Sequence, residues 1–421
     1  MTDKLRSYFY FTLATIFAAT SVVALVKLGD FLSGIFAAVN AIYWWAPLVW
    51  TPVLTVLVVY LIRSFIPDSA GTGSPHALIG TDPRLSRSLV DKFVSVKIAL
   101  GKIIFTAMSF LSGLSLGNEG PAVQIGASIM HSFNEKIKWL AKVSAETLIM
   151  IGNGIGIAVC FGSVLGGFFY CVERMNDTFA KSSKTLTLLS MIVGSVIYAI
   201  FFTGGAHHFF TKAQELTSAA ILPTLLVIVL GLVIGSIWSR ALIFTINGNT
   251  VIGKFKTHRP LLFAGICGLI VAVIGVLVGG SVIGLSHSYT QSMFDPGIDY
   301  SYWFVPAKFL ASVMTAWSGV SAGMFIPMIN IGGGIGATVA HAISTPLTPT
   351  LVLFGMVTFL AVVSRAPICS VFIIVDLTSN YQLLLPLLIV SMVSAWCAKF
   401  VGPDLWQTQT NMLLSKFTPK Q

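Results

Sequence analysis

Ten apolar stretches recur along this 421-residue chain, most of them nearly free of charge and about as long as the roughly 20 residues a helix needs to cross a bilayer. They fall at about 8–29, 36–63, 98–131, 145–172, 186–203, 219–245, 260–286, 303–343, 349–375 and 383–401. Only 10% of residues are charged and the mean hydropathy is +0.88, whereas a soluble domain is about a quarter charged. The chain therefore reads as an all-helical polytopic membrane protein. Several stretches are too long for one span and read as pairs of helices, some short and interrupted. The 38 glycines and 17 prolines fall largely inside these stretches. At membrane depth, broken backbone survives only where it is buried in protein or lines a polar cavity. That pattern points to a transport pathway more than to a receptor or an anchor.

The first stretch follows Lys4 and Arg6, lacks a small-residue cleavage site and is itself long enough to span. It reads as a retained helix with its amino end in the cytoplasm. The net charge of +10 comes from Lys and Arg in short polar connections: Arg84, Arg87 and Lys92; Lys136, Lys138 and Lys142; Lys254, Lys256 and Arg259. That distribution suits orientation signals and contacts with lipid headgroups, and nucleic acid is not expected. Cys160, Cys171, Cys267, Cys369 and Cys397 all lie in apolar stretches without a CxxC pair. They read as small buried hydrophobes, so neither disulfide nor metal is implied.

Two pairs of segments reveal an internal repeat. GNEGPAVQIG (117–126) and GMFIPMINIG (323–332) share glycine, three residues, proline, three residues, isoleucine, glycine. At nearly the same offset, FGSVLGGFFYCVE (161–173) matches SRAPICSVFIIVD (364–376), each an apolar segment ending in an acid. Interrupted helices at matching positions of two repeats are the best sequence pointer to a binding site near mid-membrane. The expected division is a leading helix over 1–39, a first repeat over 40–215, a second over 216–402, and a short tail over 403–421.

The run from Ile103 to Phe133 carries one formal charge, Glu119, inside GNEGP. Proline suits a first helical turn, and glycine lets the backbone approach a ligand. If GNEGP and GMFIP each open a helix, their free N–H groups and positive dipole ends form an anion site without a full positive charge. GTGSP (71–75) is a third such break, where Thr72 adds a hydroxyl donor. Glu119 is itself a tethered anion beside that site. Ionised, it should occupy and block the site; protonated, it should release it. Helix N-termini favour its ionised form and a neighbouring bound anion favours the neutral one. Such a residue can gate anion flow and also carry a proton. The plainer alternative is a buried acid paired with Lys102.

These residues resemble the CLC family of chloride channels and chloride/proton exchangers. Its signatures, approximately GSGIP, G(K/R)EGP followed by VQxG, and GxFxP, stand here in order as GTGSP (71–75), GNEGPAVQIG (117–126) and SGVSAGMFIP (318–327). RAP (365–367) and DLTSNYQLLLP (376–386) are similar to the family's late helices, and the resemblance covers about residues 35–406. It implies two inverted-topology repeats with broken and partial helices, and a homodimer with one pore per subunit. It also implies that Glu119 is the gating and proton-transferring acid. Thr72 with Gly73, Gly117 and Gly120, together with Gly323, Met324, Phe325 and Ile326, would then bind the anion.

Three departures matter. Asn118 stands where the family has Lys or Arg, removing a fixed positive charge beside the gate. Trp406, in GPDLW, falls where the family has its central tyrosine, and its indole N–H can donate a hydrogen bond; the alternative is a lipid-interface aromatic. Glu173 and Arg174 stand where exchangers often carry two acids, the second an internal proton acceptor. A fixed cation cannot relay protons, so Glu173 or water takes over, or coupling is weak, or the two form an ordinary charge pair at a helix end.

His207 and His208 lack the neighbours a metal site needs. His76 could touch the cavity beside GTGSP or simply be solvated. Arg365 should snorkel or cap carbonyls, and Asp376 should serve packing or a salt bridge. No nucleophile with a base and no HExxH helix is present, so an enzyme is not expected, and no cofactor. The reading is chloride/proton antiport through Glu119 across a lipid bilayer; the alternative is a passive chloride channel or a weakly coupled transporter, favoured by Arg174. Fluoride is disfavoured by the GxFxP motif. Eukaryotic relatives usually carry a large regulatory region after the last helix, so the short tail suggests a bacterial inner-membrane protein with both termini cytoplasmic.

Overall fold

The computed structural model describes residues 2–137, 143–174, 181–202, 208–209, 211, 218–246, 250–415 and 417. Lys138, Lys142 and His207 thus lie outside the described residues. Among those described, twenty α-helices and no extended sheet make up the fold. The first half holds α1 (Thr2–Ile42), α2 (Pro47–Phe65), α3 (Ser74–Ile79), α4 (Arg87–Phe93), α5 (Val96–Leu111), α6 (Glu119–Ser132), α7 (Asn134–Ile137), α8 (Ala145–Phe161), α9 (Val164–Arg174) and α10 (Lys181–Phe201). The second holds α11 (Ile221–Phe244), α12 (Val251–His258), α13 (Pro260–Leu277), α14 (His287–Ser292), α15 (Phe304–Ser318), α16 (Phe325–Ala342), α17 (Thr348–Ser364), α18 (Pro367–Thr378), α19 (Leu384–Val401) and α20 (Leu405–Leu414).

Among the described residues, eight helical stretches are long and apolar enough to cross a membrane. Several of the long sequence runs split into helix pairs, as expected: 98–131 into α5 and α6, 145–172 into α8 and α9, 303–343 into α15 and α16, and 349–375 into α17 and α18. One boundary differs. The run at 8–29 and the start of the run at 36–63 form a single 41-residue helix, α1, ending at Ile42. Gly29 and Gly34 lie inside it, and single glycines are tolerated inside a helix. At 1.5 Å per residue, α1 is about 60 Å long, far more than a bilayer core requires.

Helix starts and stops follow local chemistry. Proline stands in the first turn of α2, α13, α17 and α18, where its missing N–H costs nothing. Ser144, Thr250 and Asp404 cap α8, α12 and α20 by accepting from the amides of Thr147, Gly253 and Gln407. The chain then sorts by burial. The best apolar window of α2 is 28% buried, whereas that of α16 is 83% buried, so α2 faces lipid and α16 forms the centre. Exposed Leu222, Leu225, Leu277, Trp396 and Phe400 mark the lipid-facing surface.

At the centre α6 lies on α8 and α16 on α17, each pair in backbone contact. A side chain at Gly126 would collide with the Gly152 carbonyl, and one at Gly332 with the Gly355 carbonyl. Small residues of this kind let membrane helices approach closely, where packing rather than hydrophobicity drives association. Both pairs continue alike: α8 ends at left-handed Gly162 before α9, and α17 at left-handed Arg365 before α18.

Candidate functional site

The two helices opened by GNEGP and GMFIP meet at their amino ends. The amide of Gly117 donates to the Gly323 carbonyl and the amide of Gly323 to the Gly117 carbonyl, each at 2.9 Å. α6 begins at Glu119 after Asn118, and α16 at Phe325 after Met324. The first N–H groups of each helix have no carbonyl one turn back to receive them. Two positive helix ends therefore face one small volume.

GTGSP joins the same point. Gly71 donates to the Val320 carbonyl at 2.9 Å. Gly73, at φ +88°, takes a left-handed turn that a side chain disfavours, and a Cβ there would strike the Gly120 carbonyl. A Cβ at Gly120 would in turn strike the Thr72 carbonyl. Positions 71–73, 117–120 and 323–326 are thus packed backbone against backbone. GTGSP differs from the other two breaks in that α3, which it opens, has only six residues; its contribution is the turn and the Thr72 hydroxyl.

Glu119 is 3% exposed. Its carboxylate folds back over Gly117 and lies beside Ile326, where a Cβ on Gly117 would overlap it. An ionised carboxylate there sits against the positive end of its own helix and faces the start of α16. On its far side is a small cavity of about 20 Å³, lined also by Asn118, Cys160, Phe161 and His287.

Lys102 is not the partner of Glu119. Its fully buried ammonium donates to the carbonyls of Gly71 at 2.7 Å and Ala70 at 3.4 Å. The left-handed turn leaves those carbonyls outside any helix, and a buried carbonyl must find a donor. Lys308, also fully buried, does the same in the second half, donating to Val282 at 3.0 Å, Gly284 at 3.2 Å and the Ser286 hydroxyl at 2.8 Å.

On the Thr72 side the opening is wide. A cavity of about 700 Å³ is lined by Thr72, His76, Arg63, Lys256, Ser318 and Gln409, among others. His76 touches it while its ring lies 5.6 Å from that of Phe93. Trp406 lies on α20, the helix whose Gln409 and Leu413 line this cavity. It is fully buried and stacks on Phe325 with ring centroids 5.7 Å apart at 25°, so a place at the lipid interface is excluded. Its indole N–H has no hydrogen-bond partner among the described residues. α20 reaches this position by packing on α3, where the Thr410 hydroxyl donates to the Pro75 carbonyl.

Helix ends converging around a buried acid, with an open approach on one side and a narrow one on the other, belong to a known kind of protein. The family model for the voltage gated chloride channel matches residues 54–399. The chain belongs to that family. Among curated relatives of this CLC protein are the H(+)/Cl(-) exchange transporters ClcA of Klebsiella pneumoniae strain 342 and of Citrobacter koseri. The first is 26% identical over 399 residues, covering 90% of this chain and 81% of the relative. The second is 25% identical over 402 residues, covering 90% and 82%. Solved structures with the same fold include a slow cyanobacterial Cl−/H+ antiporter, with a TM-score of 0.78, 20% identity and coverage of 98% of each chain. A CLC-type fluoride/proton antiporter matches with a TM-score of 0.78 at 20% identity, covering 95% of this chain and 96% of that one. A eukaryotic CLC transporter matches at 0.79 and 19%, covering 97% and 74%. The protein is an integral membrane anion transporter of the CLC family, not an enzyme.

The remaining candidates fall into place around the CLC centre. Glu173 and Arg174 do not pair with each other. Glu173 accepts from the amides of Ile368 and Cys369, both at 2.8 Å, at the start of α18; Arg174 forms a two-pronged ion pair with Asp404 at 2.9 and 3.2 Å. Each charge meets a better partner on another helix than its neighbour on α9. Arg365 caps the carbonyls of Ala395, Ala398 and Gly402. Asp376 accepts hydrogen bonds from Ser163 and Tyr381 instead of forming a salt bridge. His208 stacks on Tyr198. Sequence reasoning missed Lys308, His287, Arg63 and Gln409. For Lys308 a signal existed: it follows Lys102 at the same offset that relates Gly117 to Gly323 and Pro121 to Pro327.

Proposed function

We propose that this protein exchanges chloride for protons, with Glu119 as both gate and proton carrier. The observation that carries the reading is the Glu119 carboxylate, folded over Gly117 where the N-termini of α6 and α16 meet. Ionised, the carboxylate takes the place an anion would hold. Protonated, it loses its attraction to the helix ends and can swing toward the narrow cavity, leaving the site to chloride. Thr72, the backbone about Gly73, Gly117, Gly120, Gly323, Met324, Phe325 and Ile326, and the Trp406 indole N–H then supply donors from both halves. The GxFxP motif favours chloride over fluoride.

The ClcA relatives are named as exchange transporters, which supports coupling. Arg174 supports the second reading, a passive channel or a weakly coupled transporter, because a guanidinium fixed on Asp404 cannot take up and release protons. Glu173 or water would then complete the proton route. We place the protein in a bacterial inner membrane as a homodimer with one pore per subunit and both termini cytoplasmic, with repeats over about 40–215 and 216–402. The Thr72-side cavity, with Arg63 and Lys256 on its wall, then opens to the cytoplasm.

The test is to reconstitute the protein in chloride-loaded liposomes and record chloride efflux and proton movement together, with valinomycin setting the potential. Exchange predicts proton uptake driven uphill by the chloride gradient. Efflux without proton movement would establish the channel reading instead.

A further inference from the structure

α20 is a ten-residue helix with open space on both sides. Gln409 and Leu413 line the Thr72-side cavity, while Gln407, Thr410, Asn411 and Leu414 line a second cavity, also about 700 Å³. Arg174 stands on the wall of that second cavity with Asp82 and Glu146. Leu405 and Trp406 bury the head of α20 in the core and Thr410 seats it on α3, while its other faces meet open space, so the ties at its head decide where that end sits.

Its head is tied by charge. Asp404 caps the first turn by accepting from the Gln407 amide at 3.0 Å and at the same time receives both prongs of Arg174. The side chain of Arg174 is only 7% exposed and that of Asp404 30%. The approach to the helix is held by two further arginines, which bind carbonyls: Arg240 to Val401 at 2.7 Å and Arg365 to Gly402 at 2.7 Å. Asp404 is two residues from Trp406, which stacks on Phe325 at the first position of α16. A shift of the α20 head therefore moves the indole off the anion site.

We infer that Arg174 is a positioning residue: its ion pair with Asp404 latches the first turn of α20, so that Trp406 is held on Phe325 at the Thr72 side of the anion site. This rests on the reading that Trp406 borders that site. The position that would carry an internal acid in the proton route is used here to set the geometry of anion binding. An Arg fork on a carboxylate is directional as well as attractive, which a point charge could not match.

The experiment is chloride titration by calorimetry on the purified full chain, comparing wild type with Arg174→Gln, Asp404→Asn, the double variant and Trp406→Phe. Asparagine keeps the helix cap while discharging the pair, so the cap and the latch are separated. The expected result is that each single charge variant weakens chloride binding about tenfold, and that the double variant is no weaker than either, because both remove one interaction. Arg174→Lys, which keeps the charge and loses the fork, should fall between wild type and Arg174→Gln and guards against simple misfolding. Chloride affinity within about twofold of wild type in Arg174→Gln and Asp404→Asn, with Trp406→Phe still weakened, would overturn the latch. Unchanged affinity in Trp406→Phe would overturn the reading beneath it.

Discussion

A methyl group at position 120 has nowhere to go, because the Thr72 carbonyl occupies its place. Overpacking against backbone cannot be relieved by a rotamer change, and costs about 1–3 kcal/mol when the chain must shift. Gly120→Ala should therefore push the Thr72 turn away from α6, and chloride efflux from liposomes should fall by about tenfold or more while the protein still purifies with its fold. Efflux at the wild-type rate would show that the Thr72 turn is not part of the path. At this scale the sequence was informative. Glu119 stood out because a lone acid in an uncharged run needs a reason, and Thr72 because it adds a hydroxyl donor to the GTGSP break. Trp406 and Phe325 were each visible, but their stacking was not, since 81 residues separate them and neither has a local pattern that names the other.

Among elements, two buried lysines hold two turns. Lys308 supplies the donors for the Val282 and Gly284 carbonyls and the Ser286 hydroxyl just before α14. Lys308→Met keeps the length of the side chain and removes all three bonds. Buried acceptors without donors cost about 1–3 kcal/mol each, so a loss of several kcal/mol is expected, read as a lowered melting temperature in detergent. An unchanged melting temperature would contradict the clamp. α9 gives a second prediction at this scale. Restoring an acid by Arg174→Glu looks from the sequence like a route to stronger proton coupling. In the structure it sets a second carboxylate against Asp404, and like charges at a partly buried site repel. The variant should bind chloride more weakly than wild type and show no gain in proton uptake; a gain in protons moved per chloride would refute this.

The helix breaks were legible because glycine and proline act on their own neighbours, so GNEGP and GMFIP mark the starts of α6 and α16 in one dimension. The Arg174–Asp404 pair spans 230 residues and left no such trace. Its absence from the sequence reading has a physical cause: a charge at a helix end can be met by any helix that folding brings alongside.

For the whole molecule, the repeat seen in two short motifs becomes two helix pairs, α6 with α8 and α16 with α17, and the amino ends of α6 and α16 meet at Gly117 and Gly323. In the proposed mechanism that meeting point supplies the anion site in a chain with few charges. Composition and apolar runs were enough to place the chain in a membrane, and ordered motifs were enough for the family. The cavities on either side of α20 were beyond reach, since they depend on which faces of six or more distant helices are left uncovered.

The central claim is that protonation of one acid opens the site between the two helix ends. The most direct measurement is chloride efflux and proton uptake across a range of pH in liposomes holding wild type or Glu119→Gln. Wild-type efflux should rise as pH falls and carry protons with it. Glu119→Gln, permanently neutral and of the same shape, should move chloride at a rate independent of pH with no proton uptake. Persistent proton uptake in Glu119→Gln, or efflux that keeps the wild-type pH dependence, would contradict the account.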